Sequence, residues 1–157
     1  MGAIDNTILP TAADIEAASQ RLVGVAVRTP LINAPVLDDA IGARVFLKAE
    51  TLQRTGSFKF RGAYNKISSI PQERRTAGVV AYSSGNHAQG VAAAARLLGM
   101  RATIVMPSDA PKAKRERTLA LGAEVVPYDR NIEDRAAIAK KIMSDRGATL
   151  VPRTTTR

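Results

Sequence analysis

The chain has 157 residues, with 23 Lys+Arg against 14 Asp+Glu, a formal net charge of +9, and a 45% hydrophobic fraction. That length allows one domain, or one domain and part of another, and the apolar content suffices for a core and excludes wholesale disorder. Cysteine is absent and His87 is the single histidine, which excludes disulfides, thiolate metal sites, cysteine nucleophiles and multi-histidine metal centres.

No stretch approaches the ~20 apolar residues of a membrane span; the longest, Val91 to Ala95, stops at Arg96. The start MGAIDNTILP has no basic residue and carries Asp5, unlike a secretory signal. Met1-Gly2 is followed by Asn6 where myristoylation wants Ser or Thr. A cytoplasmic protein without a membrane partner is expected. The positive charge raises nucleic acid as a partner, but the basic residues are scattered. The densest run, Lys112 to Arg117, contains Glu116 and reads as a solvated helix face or a polyanion site. Six aromatics offer no obvious base-stacking platform, so no nucleic-acid partner is expected.

Along the chain, residues 12–23 read as a helix behind a Pro10-Thr11 cap. Val27 to Leu31 is extended, because Pro30 disfavours helix at Thr29. Arg44 to Glu50 is a short strand. Ser57 to Ile70 is a helix whose Phe60, Ala63, Tyr64 and Ile67 share one face. Gly78–Tyr82 is a buried-type strand, and the segment from Asn86 is a helix with a stripe of Ala88, Val91, Ala92 and Ala95, stopping at Gly99. Residues 102–107 form a strand. A helix follows with Pro111 near its first position and Gly122 as its stop. Residues 123–128 form a strand. A helix runs from an Asn131 cap to Gly147, with Ile132, Ala136, Ala139 and Met143 in register, and residues 148–151 are the last strand. This alternation implies an α/β fold with a doubly wound parallel sheet, whose ligands bind beyond the carboxyl ends of the strands.

Two strand-to-helix segments carry chemistry. In the first, Ser57-Phe58-Lys59-Phe60-Arg61-Gly62, Lys59 opens an amphipathic helix between two phenylalanines. An attacking amine must be neutral, which for an ordinary lysine costs about 4.6 kcal/mol at pH 7. Apolar flanks, the positive end of a helix and nearby Arg61 favour the neutral form, as imine-forming lysines require; an ordinary surface lysine is the other reading. In the second, Ser83-Ser84-Gly85-Asn86-His87-Ala88-Gln89-Gly90, small residues and helix-start N–H groups suit an anion such as a carboxylate. A helix cap with polar turn residues, and a structural His87, are the alternatives. Neither GxGxxG nor GxxxxGK[ST] occurs, so dinucleotide and Walker phosphate sites lack support.

Together the two motifs resemble the N-terminal half of a fold-type II pyridoxal-phosphate enzyme of the threonine/serine dehydratase (ammonia-lyase) family, close to serine racemases. The matching pieces are RTPL (28–31), FLKAETLQRTGSFKFRGAYNKI (46–67), SSGNHAQGVAAAARLLG (83–99), ATIVMP (102–107) and LGAEVV (121–126). Threonine and cysteine synthases typically carry Asp after the motif lysine, where this chain has Phe60. The resemblance implies the tryptophan-synthase-beta-like fold, with residues 1–51 an incomplete piece of its large domain, 52–150 the small domain and 151–157 a non-family tail.

The resemblance also implies roles. Lys59 binds pyridoxal 5'-phosphate and later takes the substrate α-proton. Phe58 packs near the cofactor ring and Asn86 bonds its 3-hydroxyl. Ser83, Ser84, Gly85, Asn86 and His87 hold the substrate carboxylate, and Ser84 matches the opposite-face base of the racemases. No metal ligand is expected. The implied reaction turns threonine or serine into a 2-oxo acid and ammonia. Family members are about twice as long, and the further half supplies the glycine-rich phosphate loop. The chain therefore reads as a truncated, weakly active or inactive form. The alternatives are a non-catalytic fragment that associates with a full-length homologue, or a basic nucleic-acid-binding module. A homo-oligomer stays open, and the N-terminal segment is expected to expose apolar surface.

Overall fold

The computed structural model describes residues 10–153. The expectations placed on Met1, Gly2, Asp5 and Asn6, and on the tail beyond Arg153, lie outside the described residues. The first helix, α1 (Ala12–Leu22), opens with a capping box. The Thr11 hydroxyl accepts from the Asp14 N–H at 3.2 Å and the Asp14 carboxylate accepts from the Thr11 N–H at 2.8 Å, which satisfies two otherwise orphaned donors.

The strands β1 (Leu31–Asn33) and β2 (Phe46–Lys48) flank α2 (Pro35–Ile41) and pair antiparallel, Leu31 opposite Lys48. The expected strand over 44–50 is therefore shorter and lies outside the parallel sheet. A connection as short as α2 returns the chain beside its own strand, an arrangement that needs no long crossover.

From there the order is α3 (Lys59–Ser68), β3 (Val79–Tyr82), α4 (Asn86–Leu97), β4 (Ala102–Pro107), α5 (Lys112–Ala120), β5 (Glu124–Tyr128), α6 (Arg135–Arg146) and β6 (Thr149–Leu150). The four later strands form one sheet in the order β5-β4-β3-β6, every neighbouring pair parallel. The period of two divides their side chains between two cores. Val79, Ala81, Ile104 and Met106 join Phe60, Ala63, Ile67 and the alanines of α4 on one face. Val80 and Val105 join Ala139, Ile138, Ile142 and Met143 of α6 on the other. The α/β, doubly wound expectation holds for this sheet.

Helix α6 departs from its expected frame. Asp134, not Asn131, is the cap, its carboxylate accepting from the Ala136 N–H at 2.7 Å. Residues 129–133 form a turn in which the Asp129 carboxylate accepts from the Asn131 N–H at 2.8 Å. The helix thus starts later, its inward face is rotated, and Ile132 is left 83% exposed. Helix α3 likewise starts at Lys59, so Ser57 and Phe58 precede it, and Pro111 caps α5 from outside.

The segment before α3 is held by polar contacts. No residue of α1, α2, β1 or β2 is buried, and Val23, Val36 and Ile41 are exposed, the surface expected of this segment. Its anchors are two buried polar residues and an ion pair. Gln53 bonds both the N–H and the carbonyl of Val27, at 3.0 and 2.9 Å. Glu50 accepts from Thr29 at 2.6 Å and from two nitrogens of Arg61 at 2.8 Å each. The Arg61 guanidinium is the main reason the Glu50 carboxyl is held down to about 2, with the Thr29 hydroxyl adding to it against the cost of burial.

Because this folded value lies below the ordinary carboxylate range, the stabilisation is complete above pH ~4.5 and is lost as pH falls toward 2. Glu50→Gln is expected to cost about 2 kcal/mol at neutral pH, as for a hydrogen bond to a charged group. The difference from the parent protein should close between those two pH values, read from urea unfolding midpoints across a pH series.

Candidate active site

Every group at the site except Lys59 lies at or beyond the carboxyl end of a strand of the parallel sheet. Strand β3 ends at Tyr82, and its ladder continues one residue further, the Ser83 N–H donating to the Val105 carbonyl at 3.1 Å. Small residues then turn the chain, with the Gly85 N–H donating to the Ser83 hydroxyl at 3.3 Å, and α4 starts at Asn86. Helix α3 lies across the first turns of α4. A Cβ on Gly90 would sit 3.1 Å from the carbonyl carbon and oxygen of Lys59 and 3.2 Å from the Phe60 nitrogen. The missing side chain is what lets the lysine-bearing turn approach this closely.

The result is a cleft of about 550 Å³ that gathers Lys59, Ser83, Ser84, Gly85, Asn86 and His87. Five of the six come from the polar turn and the sixth from the other motif, so the two sequence motifs meet. The Lys59 ammonium nitrogen donates to the Arg153 carbonyl at 3.3 Å. Phe58 does not line this cleft. It is 58% exposed and bounds a neighbouring depression, with its ring 4.7 Å from the Lys59 nitrogen in a cation–π contact. Arg61 is not the free positive neighbour expected for Lys59, because its charge is committed to Glu50.

His87 is buried, and its Nε2 lies 2.9 Å from the Val151 carbonyl, to which it donates. Burial holds its pKa below the ordinary imidazole value, against that hydrogen bond, while the charges of Lys59 and Arg153 lower it further. The ring ties α4 to the segment after β6.

The sequence reading left Lys114 in a run that is either a solvated face or a polyanion site and did not single out Arg135; both line the same cleft with Tyr82, Pro152 and Arg153. The Arg135 guanidinium stands 5.4 Å from the Tyr82 ring centre. Both residues sit in the first turn of the helix after an adjacent strand, β4 and β5, so the parallel topology already placed them at this edge.

The donor set suits pyridoxal phosphate. An aldehyde is captured by a primary amine, and Lys59 presents one. Anionic groups are captured by N–H donors and cations, and the lining contains four cationic side chains and no carboxylate.

Comparison with known proteins agrees. The pyridoxal-phosphate dependent enzyme family matches residues 24–156, and the chain belongs to that family. It is 57% identical over 139 residues to L-threo-3-hydroxyaspartate ammonia-lyase of Pseudomonas sp, covering 88% of this chain and 44% of that protein. It is 49% identical over 142 residues to L-threonine ammonia-lyase of Thermotoga maritima, covering 90% of this chain and 35% of that protein. Maize serine racemase superposes with a TM-score of 0.85 at 37% identity, covering 91% of this chain and 44% of that one. The relatives are lyases and racemases, and the chain spans under half the length of the curated relatives it matches.

Two outcomes test this geometry. Gly90→Val adds a branched side chain against backbone and is expected to cost about 2–3 kcal/mol as overpacking, well beyond the ~1 kcal/mol helix propensity can return; urea titration reads it. In an NMR titration the His87 ring should protonate below the ordinary imidazole value of 6.5. The unfolded chain takes up that proton first, so acidification below 6.5 lowers stability.

Proposed function

We propose that this chain carries the lysine-bearing part of a pyridoxal-phosphate-dependent ammonia-lyase. It would act on a β-hydroxy amino acid, threonine or serine, giving a 2-oxo acid and ammonia. The carrying observation is that Lys59 and the turn 83–87 share one cleft. Relatives are named for threonine, serine and 3-hydroxyaspartate, which share a β-hydroxyl and differ at the far end of the side chain.

The cofactor, when bound, supplies an electron sink for charge developing at the substrate Cα. Lys59 would hold its aldehyde carbon covalently and, once the substrate amine has taken that place, accept the Cα proton. Asn86 would bond the 3-hydroxyl and Phe58 pack beside the ring. The donors of Ser83, Ser84, Gly85, Asn86 and His87 would grip the substrate carboxylate, fixing which Cα bond faces the lysine. The β-hydroxyl leaves as water, and a water molecule hydrolyses the product to 2-oxo acid and ammonia, so no net water is consumed. Ser84, in the same cleft, is the candidate for a second proton site, which makes racemisation a side activity.

In this reading residues 52–150 are the small domain and 1–51 a piece of the large one. The 157-residue chain would turn over little, because the phosphate loop belongs to the part of the relatives that it does not match. The exposed apolar side chains of the first 50 residues favour a second role, association with a full-length homologue; a mixed-oligomer or pull-down assay that recovers no complex would rule that role out.

Addition of pyridoxal phosphate followed by borohydride should leave a reduced adduct at Lys59, located by peptide mass analysis and absent in Lys59→Ala. Labelling spread evenly over the other lysines would overturn the assignment. Robust ammonia release from the pure chain would overturn the inference of low turnover.

A further inference from the structure

A departing β-hydroxyl needs a hydrogen-bond partner, and the groups assigned so far leave it without one. Lys59 is given to the aldehyde and the Cα proton, and the donors of residues 83–87 to the carboxylate. Of the other side chains that line the cleft, Lys114, Arg135 and Arg153 are cations. A cation facing an uncharged oxygen gives up hydration for a neutral acceptor, whereas a neutral phenol pairs with a hydroxyl and leaves no charge unmatched. Among the described residues, Tyr82 supplies the only side-chain O–H in this cleft outside the turn.

Tyr82 is the last residue of β3, directly before that turn. The period of two sends Ala81 into the layer of α3 and α4, and Tyr82 into the opposite layer with Val80, Leu150 and α6. Lys59 comes to the cleft from α3, so amine and phenol approach it from opposite faces of the sheet. The Tyr82 ring is half-buried, and the Arg135 guanidinium 5.4 Å from its centre limits where it can go. Among the described residues nothing hydrogen-bonds its hydroxyl. Nor is that oxygen one of those buried without a partner, which belong to Thr55, Ser57 and Thr149. The hydroxyl therefore reaches open space, the wet tip of an apolar body. A substrate whose carboxylate is held by the turn keeps its Cβ close to the residue that precedes the turn.

We propose that Tyr82 recognises the β-hydroxyl. Its phenolic O–H donates to the oxygen that leaves as water, and so selects β-hydroxy amino acids over those with a bare β-carbon. This rests on the ammonia-lyase reading for what the substrate is, and deepens it at Cβ. With Lys59 reaching Cα from one face and Tyr82 reaching the oxygen from the other, the bonds that break point to different walls of the cleft. Tyr82 determines specificity, and the Cα proton stays with Lys59.

The test needs no turnover. Cofactor-free protein is titrated with 3-hydroxypropionate and with propionate, carboxylates that differ only in that hydroxyl, and followed by amide NMR shifts. 3-Hydroxypropionate is expected to bind roughly fivefold more tightly, about 1 kcal/mol. Tyr82→Phe, which keeps the ring beside Arg135, should abolish that preference without weakening propionate. Tyr128→Phe, a phenol that lines the neighbouring cleft and not this one, should keep it. In the parent protein the C3 protons of bound 3-hydroxypropionate should show nuclear Overhauser contacts to the Tyr82 ring, a readout that depends on no variant folding. Absence of binding by either carboxylate, equal binding of the two, a preference that survives in Tyr82→Phe, an equal loss in Tyr128→Phe, or no contact to the ring would each overturn the assignment. A reduced adduct at Lys59 without a hydroxyl preference would remove Tyr82 alone. Absence of that adduct, with the preference intact, would instead count against the ammonia-lyase reading alone.

Discussion

The contact between Gly90 and the backbone of Lys59 and Phe60 governs this molecule. Helix α4 begins where the polar turn ends, and α3 begins at Lys59. Pressing the two helices together near those starts fixes how far the Lys59 backbone lies from the turn without any bond between the side chains. The constraint is steric, so it holds whatever the protonation state of the lysine. Both helices are anchored in the same apolar layer, through Phe60, Ala63 and Ile67 on one side and Val91, Ala92 and Ala95 on the other. Stability and site geometry therefore share one set of atoms.

Polar contacts do a different job. Glu50, Thr29, Gln53 and Arg61 tether a segment that buries almost no apolar surface. Arg61 lies two residues beyond Lys59, so the tether ends on the helix that carries the amine. It restrains that helix from outside the core, and its strength depends on an ionised carboxylate rather than on area.

Much of this could be read from the residues. SFKFRG and SSGNHAQG identified the family and both walls of the cleft, because lysine chemistry and small polar turns leave distinctive local patterns. The strands β3 and β4 were marked by short apolar runs. What escaped depends on distance in space. Arg61 looked like a neighbour that would favour a neutral amine, yet an acid 11 residues earlier claims it. The frame of α6 slipped because Asp129 and Asp134 compete with Asn131 for backbone donors, and a one-dimensional pattern does not rank three adjacent capping candidates. Lys114 stood in a run that reads as a solvated face or a polyanion site, and Arg135 drew no reading, since nothing local distinguishes a cation facing water from one facing a cleft. Only the strand order brings them to one edge.

The outermost strand, β6, pairs through just two residues, Thr149 with Val79 and Leu150 with Val80. Immediately beyond it stand the carbonyls of Val151 and Arg153 that receive His87 and Lys59. Short edges of sheets are the first parts to open in local fluctuations. Here that opening is opposed, because Val151 is buried in one apolar layer while Ala148 and Leu150 pack in the other, so this edge comes away only if both layers open. The two acceptors therefore keep their places through the packing of their neighbours, and a shortened ladder is offset by side chains wedged on either side of it.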